Sequence, residues 1–326
     1  MKALALFSGG LDSSLAIKVM QNQGIEVIAL NFVSYFFGGK NEKAEKMAET
    51  LGVKLEYIDF KDAHMEIVKS PPNGYGKNMN PCIDCHAMMM KVAGKLLEKY
   101  GASFVITGEV LGQRPMSQNP RALRQVEKLS EIEGLIVRPL SGKILPETIP
   151  EKEGWIKREE MLNISGRSRV IQMSVAEDFG IKEYPTPGGG CLLTDPGYSK
   201  RLKILKEDGK IDDKDLLILI KLGRFYRIDS GKYLVVARDA EHNKRLPEYF
   251  GKAQFYLSSG RSAGPTILGL GDFSDEEKQT VKELYANYSK TKGDSTTFFR
   301  FNGVEEEIDK IDHEKIDEFM KLYQIL

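Results

Sequence analysis

The sequence predicts an α/β architecture: a doubly wound parallel sheet followed by a second, smaller α+β domain. Three observations predict it. Short apolar runs alternate with amphipathic stretches through the first half, the rhythm of a parallel sheet with helices on both faces. A Ser8-Gly9-Gly10 turn joins the first apolar run to the first helical one. After about residue 198 the texture changes to a hairpin and short strands. At roughly 100–200 residues per domain, 326 residues give two. The boundary is expected within 195–210, separating 1–198 from 199–326.

Lys2–Phe7 reads as a buried strand, and Ser13–Gln23 as a helix with Leu15, Val19 and Met20 on one face. Glu26–Asn31 is a second strand, Glu42–Leu51 a helix and Lys54–Asp59 a third strand. Ala87–Tyr100 is helical, Phe104–Thr107 a fourth strand and Leu135–Arg138 a fifth, ended by Pro139. Ser70–Pro81, Gly108–Asn119 and Tyr184–Tyr198 interrupt this pattern as loops rich in breakers, the last with Pro185, Pro187 and Gly188-Gly189-Gly190. Loops this long in a compact domain are often functional. Beyond them, Leu202–Lys206 and Lys214–Leu222 look helical, and Arg224–Ala237 turns at Asp229-Ser230-Gly231. Gln254–Leu257, Thr266–Leu268 and Thr296–Phe301 read as strands, Asp275–Tyr288 and Glu314–Leu322 as helices.

Composition narrows the function. Lys+Arg and Asp+Glu are both 47, which excludes a bulk polycation that coats nucleic acid but not a local basic patch. No apolar run approaches the ~18 residues of a membrane helix. The run Met1–Phe7 is too short for a signal peptide. A cytoplasmic protein with no membrane partner is expected. Three cysteines make no disulfide framework and in a reducing compartment suit metal or catalysis better.

Ser8-Gly9-Gly10-Leu11-Asp12-Ser13-Ser14 lies between strand and helix. Glycines let a backbone approach phosphate, and a helix N-terminus attracts anions through its free N–H groups and dipole. Ser13 and Ser14 offer hydroxyl donors, and Asp12 could hold Mg2+ that bridges phosphates. The bland alternative is a Gly-rich turn with Asp and Ser capping the helix. No Gly-Lys-Ser/Thr follows, so it is not a Walker A loop. The segment resembles the Ser-Gly-Gly-x-Asp-Ser signature of the PP-loop ATP pyrophosphatases. That resemblance implies an adenine-nucleotide-alpha-hydrolase-like fold, ATP as cofactor and cleavage between its α and β phosphates. It also implies adenylation of a carbonyl or carboxyl oxygen, and places the adenine beside Asn31 and Phe32.

Cys82-Ile83-Asp84-Cys85 precedes a helix, and Cys191 follows a glycine run. No second C-x-x-C completes an ordinary zinc site, although His86 could serve. Three thiolates on loops suit a 4Fe–4S cluster with one iron left open. A persulfide or disulfide role and three incidental buried thiols are the alternatives.

Val105-Ile106-Thr107-Gly108-Glu109-Val110-Leu111-Gly112-Gln113, Ser117-Gln118 and Arg138-Pro139-Leu140 resemble stretches of ThiI-type tRNA 4-thiouridine synthases. Asn80-Pro81-x-x-x-Cys85 is similar to the cysteine segment of 2-thiouridylases. The resemblance spans about residues 1–195 and implies ATP contacts at Ser8, Gly9, Gly10, Thr107, Gly108 and Gln113 as well. THUMP and rhodanese-like regions are not seen, and the three-cysteine pattern is similar to iron–sulfur-dependent tRNA thiolases. Asp12, Cys82, Cys85 and Cys191 are then the expected catalytic residues, and the three cysteines the expected metal set. Sulfide or a cysteine desulfurase would supply sulfur, and a homodimer is compatible. Two other readings stay open: a PP-loop adenylating enzyme for a small molecule, and an RNA-binding protein with a vestigial ATP site.

Arg114, Arg121, Arg124 and Lys128 form one basic run, with the last three on one helical face. Lys157, Arg158, Arg167 and Arg169 form a second. Phosphate neutralisation by such residues dominates RNA affinity, whereas a solvated helix face is the plain alternative. Gly223-Arg224-Phe225-Tyr226-Arg227, Asn243-Lys244-Arg245-Leu246 and Gly264-Pro265-Thr266 resemble the NFACT-R RNA-associated module. Phe225, Tyr226, Tyr233 and Phe255 alternate with charges, as stacking residues or as a half-buried strand. His64 and His313 are expected at the surface, Met88-Met89-Met90 in helix packing, and Asp195 in a turn or as a base.

Overall fold

The computed structural model describes residues 1–184 and 190–325. The expectations placed on Pro185, Pro187, Gly188 and Gly189 lie outside them. The chain divides into two compact units, Met1–Thr194 and Asp195–Leu326. Asp195 caps the first helix of the second unit by accepting from Tyr198 N at 2.6 Å, and Pro196 takes the first helical position. The loop expected to run to Tyr198 therefore ends in a helix at Pro196.

The first unit begins β1 (Lys2–Leu6), α1 (Leu11–Gln21), β2 (Glu26–Val33), α2 (Glu42–Leu51) and β3 (Lys54–Asp59). It continues with α3 (Lys61–Lys69), α4 (Cys82–Tyr100), β4 (Phe104–Thr107), α5 (Pro120–Leu129), β5 (Ile136–Val137), α6 (Ile149–Lys152) and α7 (Val170–Asp178). The sheet order is β3-β2-β1-β4-β5, and every pairing is parallel. Sequence order reverses at β1, flanked by β2 and β4. That is the switch point where α/β sheets bind ligands, beyond the carboxyl ends of the strands. Apolar side chains of β1 fill the sheet's two faces: Ala3 and Ala5 on one, Leu4 on the other.

The sequence pattern misses α3, because Lys61–Lys69 carries His64, Met65, Ile67 and Val68 on a short buried stripe. It also starts α4 five residues late. The polar segment Cys82–His86 is the helix's first turn, entered from Pro81. Cys82 and Cys85 are thus helical residues rather than loop residues.

The second unit carries α8 (Pro196–Glu207), α9 (Lys214–Leu219), β6 (Arg224–Asp229), β7 (Lys232–Val236) and α10 (Ala240–Arg245). Then come β8 (Phe255–Ser259), β9 (Ile267–Leu270), α11 (Asp275–Tyr288), β10 (Thr297–Phe301), β11 (Val304–Ile308), α12 (His313–Tyr323) and β12 (Gln324–Ile325). The sheet is antiparallel, ordered β11-β10-β8-β9-β7-β6-β12. A Ser274–Glu277 capping box starts α11, which packs its Val281, Leu284 and Tyr285 on the sheet. Phe225, Tyr226, Tyr233 and Phe255 are at most 1% exposed. They are core residues and cannot stack on bases. Among the described residues, no helix is long and apolar enough to cross a membrane.

Candidate functional site

The glycine turn sits between the end of β1 and the start of α1. Gly9 has φ +74°, and a Cβ there would meet Ala44 Cα at 2.8 Å. Only glycine fits both the left-handed backbone and the close approach. Gly10 occupies the N-cap position without a side-chain cap, so the first N–H groups of α1 keep no local acceptor of that kind. An anion is the natural partner for such a terminus. The hydroxyls of Ser13 and Ser14 both donate to Gly10 O at 2.9 Å. They brace the turn rather than point away from it, and Ser8 Oγ lies 3.4 Å from Ser13 Oγ.

Asp12 is held in place from two sides. Its Oδ2 accepts from Gln113 Nε2 at 2.8 Å and from Arg169 NH2 at 3.2 Å. Gln172 Nε2 in turn donates to Gln113 Oε1 at 3.0 Å. The other carboxylate oxygen, Oδ1, is buried with no protein partner among the described residues. Arg169 therefore does not belong to a free basic cluster. Lys157 pairs with Glu160, and Arg158 pairs with Glu151 and bonds the carbonyls of Gly142 and Leu145, while Arg167 stays exposed. The first basic run differs, because Arg121, Arg124 and Lys128 are exposed on one face of α5. Arg114 lies close enough to Cys191 to pull its thiol pKa down.

Asn31 and Phe32, at the end of β2, are already engaged. Asn31 Nδ2 donates to Phe7 O at 3.0 Å, while its Oδ1 is buried without a partner. Phe32 is buried edge-on against Phe60 at 5.5 Å.

The loop after β4 closes the far wall. A Cβ on Gly108 would lie 2.6 Å from Asp12 C and Ser13 N, so the Gly108 backbone rests on the first turn of α1. Thr107 is buried, and its Oγ1 accepts from Glu109 N at 3.3 Å. Glu109 then reaches the cysteine helix. Its Oε1 lies 2.8 Å from His86 Nδ1 and its Oε2 accepts from Arg138 Nε at 3.0 Å. Arg138 NH1 bonds Glu127 Oε2 at 3.1 Å. Burial pushes the Glu109 carboxyl up, but Arg138 and His86 outweigh it and hold it down at about 2. This His86–Glu109–Arg138–Glu127 chain was not assembled from the sequence. Glu109 and Arg138 stand 29 residues apart, and only their consecutive positions after β4 and β5 could have signalled it.

The three cysteines lie within electrostatic range of one another. Burial raises the Cys85 thiol well above its ordinary value, and Cys191 and Cys82 add to the shift by their charge. Burial also raises Cys191, to about 11, with Cys82 again contributing. Asn80 Nδ2 donates to Cys82 Sγ at 3.2 Å. The Cys191 segment is fastened by Leu192 N to Phe36 O at 3.0 Å and Asn78 Nδ2 to Thr194 O at 2.8 Å. Among the described residues, however, no three His, Cys, Asp or Glu side chains gather as around a metal ion. Cys85 instead turns into the apolar cluster of Leu4, Phe32 and Phe60 on the rigid first turn of α4.

His64 corrects a further expectation. It is fully buried, stacked on Phe60 at 5.3 Å, with Nδ1 2.7 Å from Ser34 Oγ. Burial lowers its pKa to about 4. Asp195 is a helix cap, not a base.

Residues 1–149 match the family described as thiamine biosynthesis protein (ThiI). That match lies wholly within the first unit. Residues 223–320 match the NFACT protein RNA binding domain. A probable tRNA sulfurtransferase of Thermococcus kodakarensis is 29% identical over 190 residues, 56% of this chain and 45% of that protein. Another, from Methanothermobacter thermautotrophicus, is 31% identical over 189 residues, 56% of this chain and 44% of that protein. The tRNA-specific 2-thiouridylase MnmA of Sulfurimonas denitrificans is 33% identical over 120 residues, 34% of this chain and 35% of that protein. The chain thus spans less than half the length of these curated relatives. The ThiI-type match includes the glycine turn, Asp12, Gln113, Cys82, Cys85 and the Glu109 chain, and stops before Arg169 and Cys191.

Proposed function

We propose that this chain is an ATP-dependent tRNA sulfurtransferase that adenylates a uridine carbonyl oxygen and replaces it with sulfur. One observation carries the reading: Gly108 rests on the phosphate turn, and the next residue, Glu109, holds His86 beside Cys85. An adenylating loop and a thiol centre therefore share one wall in a ThiI-type domain.

In this reading the α1 N-terminus and the Ser8–Gly10 turn hold the ATP phosphates, with Thr107, Gly108 and Gln113 opposite. Asn31 and Phe32 close the adenine side through the end of β2. The buried, unpartnered Asp12 Oδ1 fits Mg2+, which keeps few carboxylate ligands and shares phosphate oxygens. Gln113 and Arg169 fix the orientation of that carboxylate. The uridine carbonyl oxygen attacks the α-phosphorus, the bond to the bridging oxygen breaks, and pyrophosphate leaves. A sulfur nucleophile then adds at the activated ring carbon. AMP departs with the former carbonyl oxygen.

Cys82, Cys85 and Cys191 handle the sulfur. Their donor chemistry suits a 4Fe–4S cluster, which they would hold through three thiolates if drawn closer together than they stand here. Such a group supplies, when bound, an open iron for hydrosulfide. Sulfide or a cysteine desulfurase is the donor class. The tRNA is carried by the exposed face of α5 and by the second unit, whose match is to an RNA-binding domain.

The test is exchange of labelled pyrophosphate into ATP, with and without an unmodified tRNA transcript, followed by nucleoside mass spectrometry. Exchange that needs tRNA, is lost in Asp12→Ala and accompanies a new thiouridine supports the reading. The mass and retention of that nucleoside distinguish 4-thiouridine from 2-thiouridine. Exchange indifferent to tRNA points to a small-molecule substrate, and no exchange points to an RNA-binding protein. Either outcome overturns it.

A further inference from the structure

The second unit pairs its surface cations widely. Arg227 meets Asp208, Lys232 meets Glu277, Lys282 meets Glu306, and Arg261 meets Glu305. The turn at Gly223 departs from this pattern. Around it, Arg201, Arg224 and Arg238 come together, and none of them makes an ion pair among the described residues.

The convergence is built, not incidental. Arg201 is 9% exposed, and its NH1 donates to the carbonyls of Ile220 and Gly223 at 2.8 and 3.2 Å. Its Nε is buried without a partner. Arg238 NH2 donates to the same Gly223 carbonyl at 3.2 Å, so two guanidinium groups share one acceptor. Arg224 is laid over the Tyr288 ring at 4.6 Å, with NH1 3.4 Å from Ala237 O. Arg245, exposed at the end of α10, is near enough to Lys221 for the two charges to repel. The nearby acids are otherwise occupied: Asp195 caps α8, and Asp239 caps α10 and pairs with His242.

Guanidinium groups held by carbonyls keep their full charge and leave N–H donors in a fixed fork. Like charges pressed together, with only carboxylates that already cap helices nearby, cost energy until a further anion arrives. A row of such groups suits anions in series better than one small ion, and the chemistry that supplies them is a phosphodiester backbone. We propose that the Arg201–Arg224–Arg238–Arg245 face is the surface on which the second unit holds the RNA sugar–phosphate backbone. This deepens the tRNA reading above and rests on it. Arg201 lies outside residues 223–320, so the face extends beyond the RNA-binding-domain match.

The test uses the full chain and a fluorescent unmodified tRNA transcript, with anisotropy read across a salt series. Arg238→Ala and Arg245→Ala remove exposed groups and spare the buried Arg201. Each is expected to weaken binding by roughly three- to tenfold and to flatten the slope of log Kd against log salt by about one. Arg238→Lys should recover most of the loss. Arg261→Ala, which removes a paired cation, should bind as the parent does. Unchanged affinity and slope in both Arg238→Ala and Arg245→Ala, with the parent binding tRNA, overturns this face and leaves the tRNA reading standing. A parent that ignores tRNA but binds vesicles of anionic lipid, and loses that binding in Arg238→Ala, overturns both.

Discussion

Replacing Glu109 by Gln should cost the first unit about 3 kcal/mol at neutral pH. The substitution keeps shape but removes the charge between Arg138 and His86, in a pair whose side chains are only 4–5% exposed. A carboxyl held at about 2, against an ordinary 4.5, corresponds to about 3 kcal/mol at 1.36 kcal/mol per unit. Breaking a buried ion pair from one side costs ~3–5 kcal/mol. Arg138 retains Glu127, which favours the lower end. Because the folded carboxyl lies below its unfolded value, its stabilisation is complete above about pH 4.5 and fades as pH falls toward 2. Trp155, the one tryptophan, sits in the first unit against Phe104, so its fluorescence reports that unit's unfolding in urea. The parent and Glu109→Gln curves should lie furthest apart at pH 7 and approach each other below pH 4.5. A gap under 1 kcal/mol at pH 7, or one that persists unchanged to pH 3, refutes the electrostatic argument.

Gly108→Ala drives a Cβ into the Asp12–Ser13 peptide. It should destabilise by ~1–3 kcal/mol and weaken ATP binding, measured by calorimetry, more than Gly251→Ala, whose added methyl meets nothing within 4 Å on an ordinary backbone. His64 titrates at about 4 when folded and 6.5 otherwise. The unfolded chain therefore takes up the proton first, and stability falls between pH 6.5 and 4. His64→Leu should flatten that part of the urea-midpoint profile. Cys82→Ala, Cys85→Ala and Cys191→Ala should each abolish thiouridine formation while leaving ATP binding intact. Anaerobically purified parent protein should be brown. Colourless protein that is fully active with added sulfide, or one dispensable cysteine, would replace the cluster with a persulfide.

Much of the first unit was legible because its signals are local. β1, β2 and β4 are short apolar runs, and Glu42–Leu51, like Asp275–Tyr288 in the second unit, carries a clean helical pattern, with Asn41 and Ser274 as caps. The Ser8–Ser14 turn was legible because its residues stand together in sequence between a strand and a helix, although the packing of Gly9 on Ala44 was not. What stayed hidden depends on partners far along the chain. His64 looks like a surface residue until Phe36 and Phe37, which follow β2, close over it with Phe60, a fate its own segment does not decide. The start of α4 was hidden by Pro81 and by the polarity of Cys82–His86, which reads as loop although it is a buried first turn.

The arginines show most clearly where a sequence count fails. Lys157, Arg158, Arg167 and Arg169 look like one basic cluster, yet Arg169 is drawn to Asp12 across 157 positions and Arg158 to carbonyls of its own fold. Arg201, Arg224, Arg238 and Arg245 are spread over forty-five positions and form no run at all. Arg201, Arg224 and Arg238 meet because α8 and the β6–β7 hairpin bring their ends to the turn at Gly223, and Arg245 stands near Lys221 just before it. A cation's availability to a nucleic acid is set by whether the fold gives it a carboxylate. Spacing along the chain carries no information about that. The same distinction applies at Asp12, where Arg169 occupies one oxygen and the other has no protein partner among the described residues. Arg169→Ala should therefore lower the affinity for ATP with Mg2+ while leaving tRNA affinity and its salt slope unchanged. Loss of tRNA affinity in that variant would return Arg169 to the nucleic-acid surface.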